Sequence, residues 1–91
     1  MGIYIMDVEK IKSSVEKYVD AIIVPKFLDI MEFSVECKYY GQSDHLLIKI
    51  TFLMDGTEQE VEEEIEESVS DMFKMFSFEK NIKRLIKFET S

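Results

Sequence analysis

The sequence is poor in the residues that punctuate or staple a chain. It has one cysteine, Cys37, one proline, Pro25, three glycines and no tryptophan. A lone cysteine excludes an intrachain disulfide and fits a reducing compartment, so the cytoplasm is the expected location. Scattered Gly2, Gly41 and Gly56 leave no flexible linker and no Gly-rich phosphate loop, and no segment repeats, so residues 1–91 are read as one small domain. No apolar run approaches the roughly 18 residues of a membrane-spanning helix. The longest candidates, Ala21 to Val24 and Leu46 to Leu53, are short or interrupted by Lys49. The N-terminal stretch lacks the basic start and the apolar length of a secretory signal, and Met6 stands where a myristoylation motif needs Ser or Thr.

Cations are also scarce. Eleven Lys and Arg face 19 Asp and Glu, a formal charge of −8 at pH 7. Affinity for phosphate backbones comes largely from cations that displace counterions, so direct nucleic-acid binding is not expected. The distribution is more informative than the total. Residues 1–54 carry eight acids and six bases, residues 55–73 nine acids and no base, and residues 74–91 two acids and five bases.

Apolar residues make up 46% of the chain and aromatics 12%, enough side chain for one core. Asp7 reads as a helix N-cap with Met6 and Ile11 in staple positions, followed by apolar residues at helical spacing from Val8 to Ile23. Pro25 disfavours a helical Val24 and should end this helix. From Met31 to Tyr39 the period becomes two, with Met31, Phe33, Val35, Cys37 and Tyr39 on one face. Gly41-Gln42-Ser43-Asp44 is turn chemistry, and alternation resumes at Leu46, Ile48, Ile50, Phe52 and Met54, which together predict a β-hairpin. Asp55-Gly56 closes this unit. Thr57 and Glu60 then form a capping box for a second helix with Val61, Ile65, Val69, Met72, Phe73 and Phe76 on its apolar stripe.

The tail fits a short helix capped by Ser77, with a short edge strand over Arg84 to Glu89 as the alternative. The expected fold is therefore α+β: helix, β-hairpin, helix, then a short C-terminal helix or edge strand, with the helices packed on a small antiparallel sheet. Two strands alone are marginal in water, so a third is needed from Ile3 to Met6, from the tail, or from a second copy.

Chemistry is harder to find. His45, the one histidine, sits at the hairpin mouth without a nucleophile at a motif spacing. Cys37 lies on an apolar strand face, where a thiol behaves as a small hydrophobe. Asp55, Thr57, Gln59 and Glu66 fall at calcium-loop positions, but Glu60 replaces the required glycine and helical periodicity begins inside the loop. No catalytic residue, metal ligand or cofactor site is assigned, and an enzyme is not expected.

Two features remain as candidate binding elements. One is the acidic helix face of Glu58, Glu62, Glu63 and Glu66, where like charges one turn apart repel. The bland account is a solvated face, or one neutralised by Lys80, Lys83, Arg84 and Lys87 of the same chain. The other is the adjoining patch of Met72, Met75 and Phe76, residue types enriched where proteins meet, although core packing explains most of it. The expected function is a non-enzymatic regulator, inhibitor or adaptor that binds another protein with a basic surface, including one whose normal ligand is DNA or RNA. The alternative is a structural or assembly subunit, a homodimer or larger particle, that completes its sheet with a second copy.

Overall fold

The computed structural model describes residues 5–56, 58–75 and 81–90. Helix α1 spans Ile5–Tyr18 and turns its apolar stripe inward, with Val15 completely buried, as are Val19 and Ile23 just after it. It already runs at Ile5, so Asp7 lies inside the first turn and not before it. Pro25 does not stop the spiral at Val24. The chain continues through a π turn, Val19–Ile23, and a 3₁₀ turn, Val24–Lys26, with Val24 at φ −56°, ψ −45° and its N–H donating to the Val19 carbonyl. A widened π turn gives the proline ring room beside the carbonyl four residues back, and a first 3₁₀ turn needs no N–H from Pro25. The backbone becomes extended at Phe27, where φ is −126°.

Strands β1, Ile30–Tyr40, and β2, His45–Met54, form the antiparallel hairpin. Asp44 closes its turn in the left-handed region at φ 47°, which Asp tolerates better than most residues, and its Oδ1 accepts a 2.7 Å hydrogen bond from the Tyr39 hydroxyl. The register pairs Phe33 with Phe52, Val35 with Ile50, Cys37 with Ile48 and Tyr39 with Leu46, so the alternation read from the sequence sets the inward face. Met31 is the exception. The register shifts between Ile30 and Glu32, and this bulge turns Ile30 into the core while leaving Met31 54% exposed. Asp55 ties the open end of the hairpin by donating its N–H to the Asp29 carbonyl at 2.8 Å. Gly56, at φ 98°, then reverses the chain in a conformation that a side chain would strain.

Helix α2 spans Gln59–Met75, and Thr57, the expected cap, lies outside the described residues. The tail forms strand β3, Asn81–Thr90, which corrects the expected C-terminal helix, whose first part, from Ser77 to Lys80, falls outside the described residues. Ile82, Ile86 and Phe88 alternate toward the core at period two, whereas a helix would have needed Leu85 inside; Leu85 is 49% exposed. The tail is thus the strand given as the alternative over Arg84 to Glu89, extended back to Asn81, with Arg84 interrupting its apolar alternation. β3 pairs parallel to β2, so the sheet is mixed, not antiparallel, with order β1-β2-β3. Parallel neighbours need a crossover of a dozen or more residues, which α2 supplies. The third strand thus comes from the tail, and Ile5 and Met6, considered for it, belong to α1.

Both helices cover one face of the sheet. Leu46, Ile48, Ile50, Phe52 and Met54 of central β2 pack with Val15, Val19 and Ile23 from the first helix and Ile65, Val69 and Met72 from α2 in one core. The other sheet face has no helix over it among the described residues. It presents Glu32, Ser34, Glu36 and Lys38 from β1, Leu47, Lys49, Thr51 and Leu53 from β2, and Lys83, Leu85, Lys87 and Glu89 from β3. Among the described residues no helix is long and apolar enough to cross a membrane.

Candidate functional site

The segment 55–73 that holds nine acids and no base becomes, for most of its length, the outward side of α2. The helix forms because Val61, Ile65, Val69, Met72 and Phe73 repeat every three or four residues and bury against the sheet. The intervening positions must then face water. Glu58, Glu60, Glu63, Glu64, Glu66, Glu67 and Asp71 are all exposed, and Glu62 is half-buried at the border of the stripe. The acids early in the helix complement its positive end, with Glu60 and Glu62 in the first turn. Later ones lie beyond the reach of that end, and the one base within the helix is Lys74, in its last turn. Among the described residues the one ion pair is Lys87 to Glu89, at 3.3 Å, on the far side of the sheet. Among the described residues, the side-chain hydrogen bond along the acidic face is a long one, 3.4 Å from Gln59 to Glu63.

Of the bases expected to neutralise this face, Lys83, Arg84 and Lys87 are engaged or directed elsewhere. As a strand, β3 turns Lys83 and Lys87 to the open side of the sheet, opposite the helices. Arg84 does point to the helix side, but its guanidinium lies over the Phe73 ring, 5.4 Å from the centroid. Lys80 lies outside the described residues. The strand thus sorts its own lysines away from the acids of α2: Lys83 and Lys87 join Lys38 and Lys49 on the open sheet face, among Glu32, Glu36 and Glu89, while Lys74 stays in the last turn of α2. This sorting could not be read while the tail was taken as a helix. The alternation of Ile82, Ile86 and Phe88 was the signal for it.

Of the candidate binding residues, Glu58, Glu63 and Glu66 are exposed together and Glu62 borders them. Met72 is completely buried and belongs to the core, since it falls on the same stripe as Ile65 and Val69; it is corrected from surface to interior. Met75 lies one step off that stripe, is 67% exposed, and its sulfur receives a contact from the Tyr18 hydroxyl at 3.8 Å. Phe76 lies outside the described residues.

The residues weighed for chemistry do not converge on a reaction centre. Ser43 Oγ is hydrogen-bonded to His45 Nδ1, a partnership the sequence spacing did not reveal. Yet Ser43 is exposed on the turn, the Asp44 carboxylate is engaged by Tyr39, and Tyr40 stacks on His45 with centroids 4.8 Å apart. Among the described residues no carboxylate is bonded to the imidazole, and these contacts fasten a turn. Cys37 is half-buried on the inner face of β1. Burial pushes its thiol from 9.0 up to about 11, opposed by Lys12 and assisted by Glu16 and Glu9, which is the reverse of an activated nucleophile. Gln59 of the supposed calcium loop is already helical, and among the described residues no three His, Cys, Asp or Glu side chains are grouped to hold a metal ion.

Compared with protein-family models, curated proteins and solved structures, the chain matches none of them.

Proposed function

We propose that this protein is a non-enzymatic binding module, a regulator, inhibitor or adaptor, that recognises a basic surface on another protein through the outward face of α2. The observation that carries this reading is the run of exposed carboxylates from Glu58 to Asp71, none of which is ion-paired among the described residues, on and just before a helix whose one base, Lys74, stands in its last turn. A helix with like charges one turn apart is less stable than one with mixed charges. A cationic partner relieves that repulsion on binding and is steered in by the field of the face. Met75, exposed beside the end of the acidic run, supplies an apolar contact that sets where such a partner stops. The spacing of carboxylates along a straight helix also suits a partner that ordinarily binds the phosphates of a nucleic acid. A reducing interior such as the cytoplasm is the proposed location, given the single half-buried thiol.

The test is parallel affinity capture from the source cell with the wild-type chain and with a Glu58→Lys, Glu63→Lys, Glu66→Lys triple variant. The expected result is a partner retained at low salt, released as salt rises, and lost from the variant. Capture of the same partner by both chains with the same salt dependence refutes the reading.

A further inference from the structure

We infer that β1 is a docking edge for a second copy of this chain, pairing antiparallel with β1 of that copy about a two-fold axis at Val35. The inference is independent of the role proposed for α2. β1 stands at the end of the sheet order, and among the described residues no strand pairs with its outer edge. At eleven residues it is about twice the common strand length, and long open edges are templates for pairing.

The strand is self-complementary in one register. Val35 is the midpoint of Ile30–Tyr40, and a two-fold axis there keeps inward faces together from Glu32 to Lys38, beyond the bulge. That register sets Glu32 opposite Lys38 of the copy and Lys38 opposite its Glu32, with Ser34 opposite Glu36 between them. Moving the axis by one residue sets Glu32 against Glu36 on one side, or Glu36 against Glu36 on the other. Both are like-charge pairs, which destabilise a sheet. On the helix side the same register brings Phe33 opposite Cys37. These two are only half-buried, while their β2 partners Phe52 and Ile48 are completely covered. The helix layer thus stops short at this edge, and a second copy extends it.

β3 offers a poorer edge. Its ten residues, Asn81–Thr90, have no central residue, so full two-fold overlap would set inward positions against outward ones. Its Glu89 is also already bonded to Lys87.

The experiment is sedimentation equilibrium of the full chain over a wide concentration range, with circular dichroism to show that each variant is folded. The wild type is expected to dimerise. Lys38→Glu and Glu32→Lys each place like charges together twice, and each should raise the dimer dissociation constant roughly ten-fold or more. The double charge swap, E32K with K38E, should restore dimerisation. Glu36→Lys, opposite a serine, should change it little. A wild type that remains monomeric at high micromolar concentration overturns the inference. So does a folded K38E that dimerises as tightly as the wild type, a double swap without rescue, or a Glu36→Lys chain that dissociates as far as K38E.

Discussion

Replacing Glu63 with lysine should make this domain more stable. Glu63 is exposed near the middle of the acidic run, with Glu60 three residues before it and Glu66 and Glu67 three and four after it. Each like-charge pair at this spacing costs about 0.2–0.5 kcal/mol, and reversing one member turns a cost into a gain of similar size. Three pairs swinging by roughly 0.4–1 kcal/mol each give about 1–3 kcal/mol in total. Two effects subtract from this. The 3.4 Å hydrogen bond from Gln59 is lost, and a cation nearer the start of a helix opposes its dipole by about 0.3 kcal/mol. The net expectation is about 1–2 kcal/mol, or a Tm on the order of 5–15 °C higher for a domain of this size. Urea and thermal unfolding at low ionic strength would measure it. At about 0.5 M salt the screening length falls below the pair spacing of about 5–6 Å, and the gain should shrink to less than half. Glu63→Gln should give about half the gain. An E63K chain no more stable than the wild type at low salt would refute the reasoning, because it would mean that these carboxylates are already compensated. The proposed role of α2 would then lose its physical motive.

Two further outcomes follow from the interior. Phe52→Ala removes a completely buried ring that stacks on Phe88 with centroids 5.8 Å apart, and should cost about 3–5 kcal/mol in urea unfolding, while Leu85→Ala on the open face should stay within about 0.5 kcal/mol. Equal losses at the two sites would show that the open face is packed after all. The Cys37 thiol, raised to about 11, should react with iodoacetamide at pH 8 roughly a hundred times more slowly in the folded chain than in urea. Because the folded state holds this proton more tightly than the unfolded one, stability should be unaffected below pH 9 and decline as pH rises from 9 toward 11. A Cys37→Ala chain should lose that part of the alkaline decline, and equal decline in both chains would contradict the assignment.

The hairpin and α2 were legible because one periodicity dominates each. Val35, Cys37 and Tyr39 alternate against charged neighbours, and Val61, Ile65, Val69 and Met72 repeat with acids filling every gap. Where two signals competed, the reading failed. Ile82, Leu85 and Ile86 satisfy a helical spacing, and Arg84 at an inward strand position broke the alternation that would have identified β3. Its inward placement is tolerable because the guanidinium reaches the Phe73 ring at the end of α2, a tertiary contact invisible to local pattern. Pro25 misled for a related reason, since the rule that it ends a helix does not foresee a π turn that makes room for it. The acidic face was visible as composition, but the placement of Lys83 and Lys87 away from it was not, because that depends on which way β3 points.

The parallel pairing of β3 also sets an order of events in folding. Within the hairpin, Tyr40 and His45 meet across a four-residue turn, and closure can proceed residue by residue from there. Every contact of β2 with β3, by contrast, joins residues 36 positions apart, and none is close enough in the chain to start the rest. The β1–β2 hairpin should therefore form before β3 docks, with the far edge of β2 open to solvent until α2 has folded back. During that interval the most apolar strand of the molecule is its most adhesive one. Refolding yield should fall with protein concentration for this reason, and slow hydrogen exchange should be confined to the central strand.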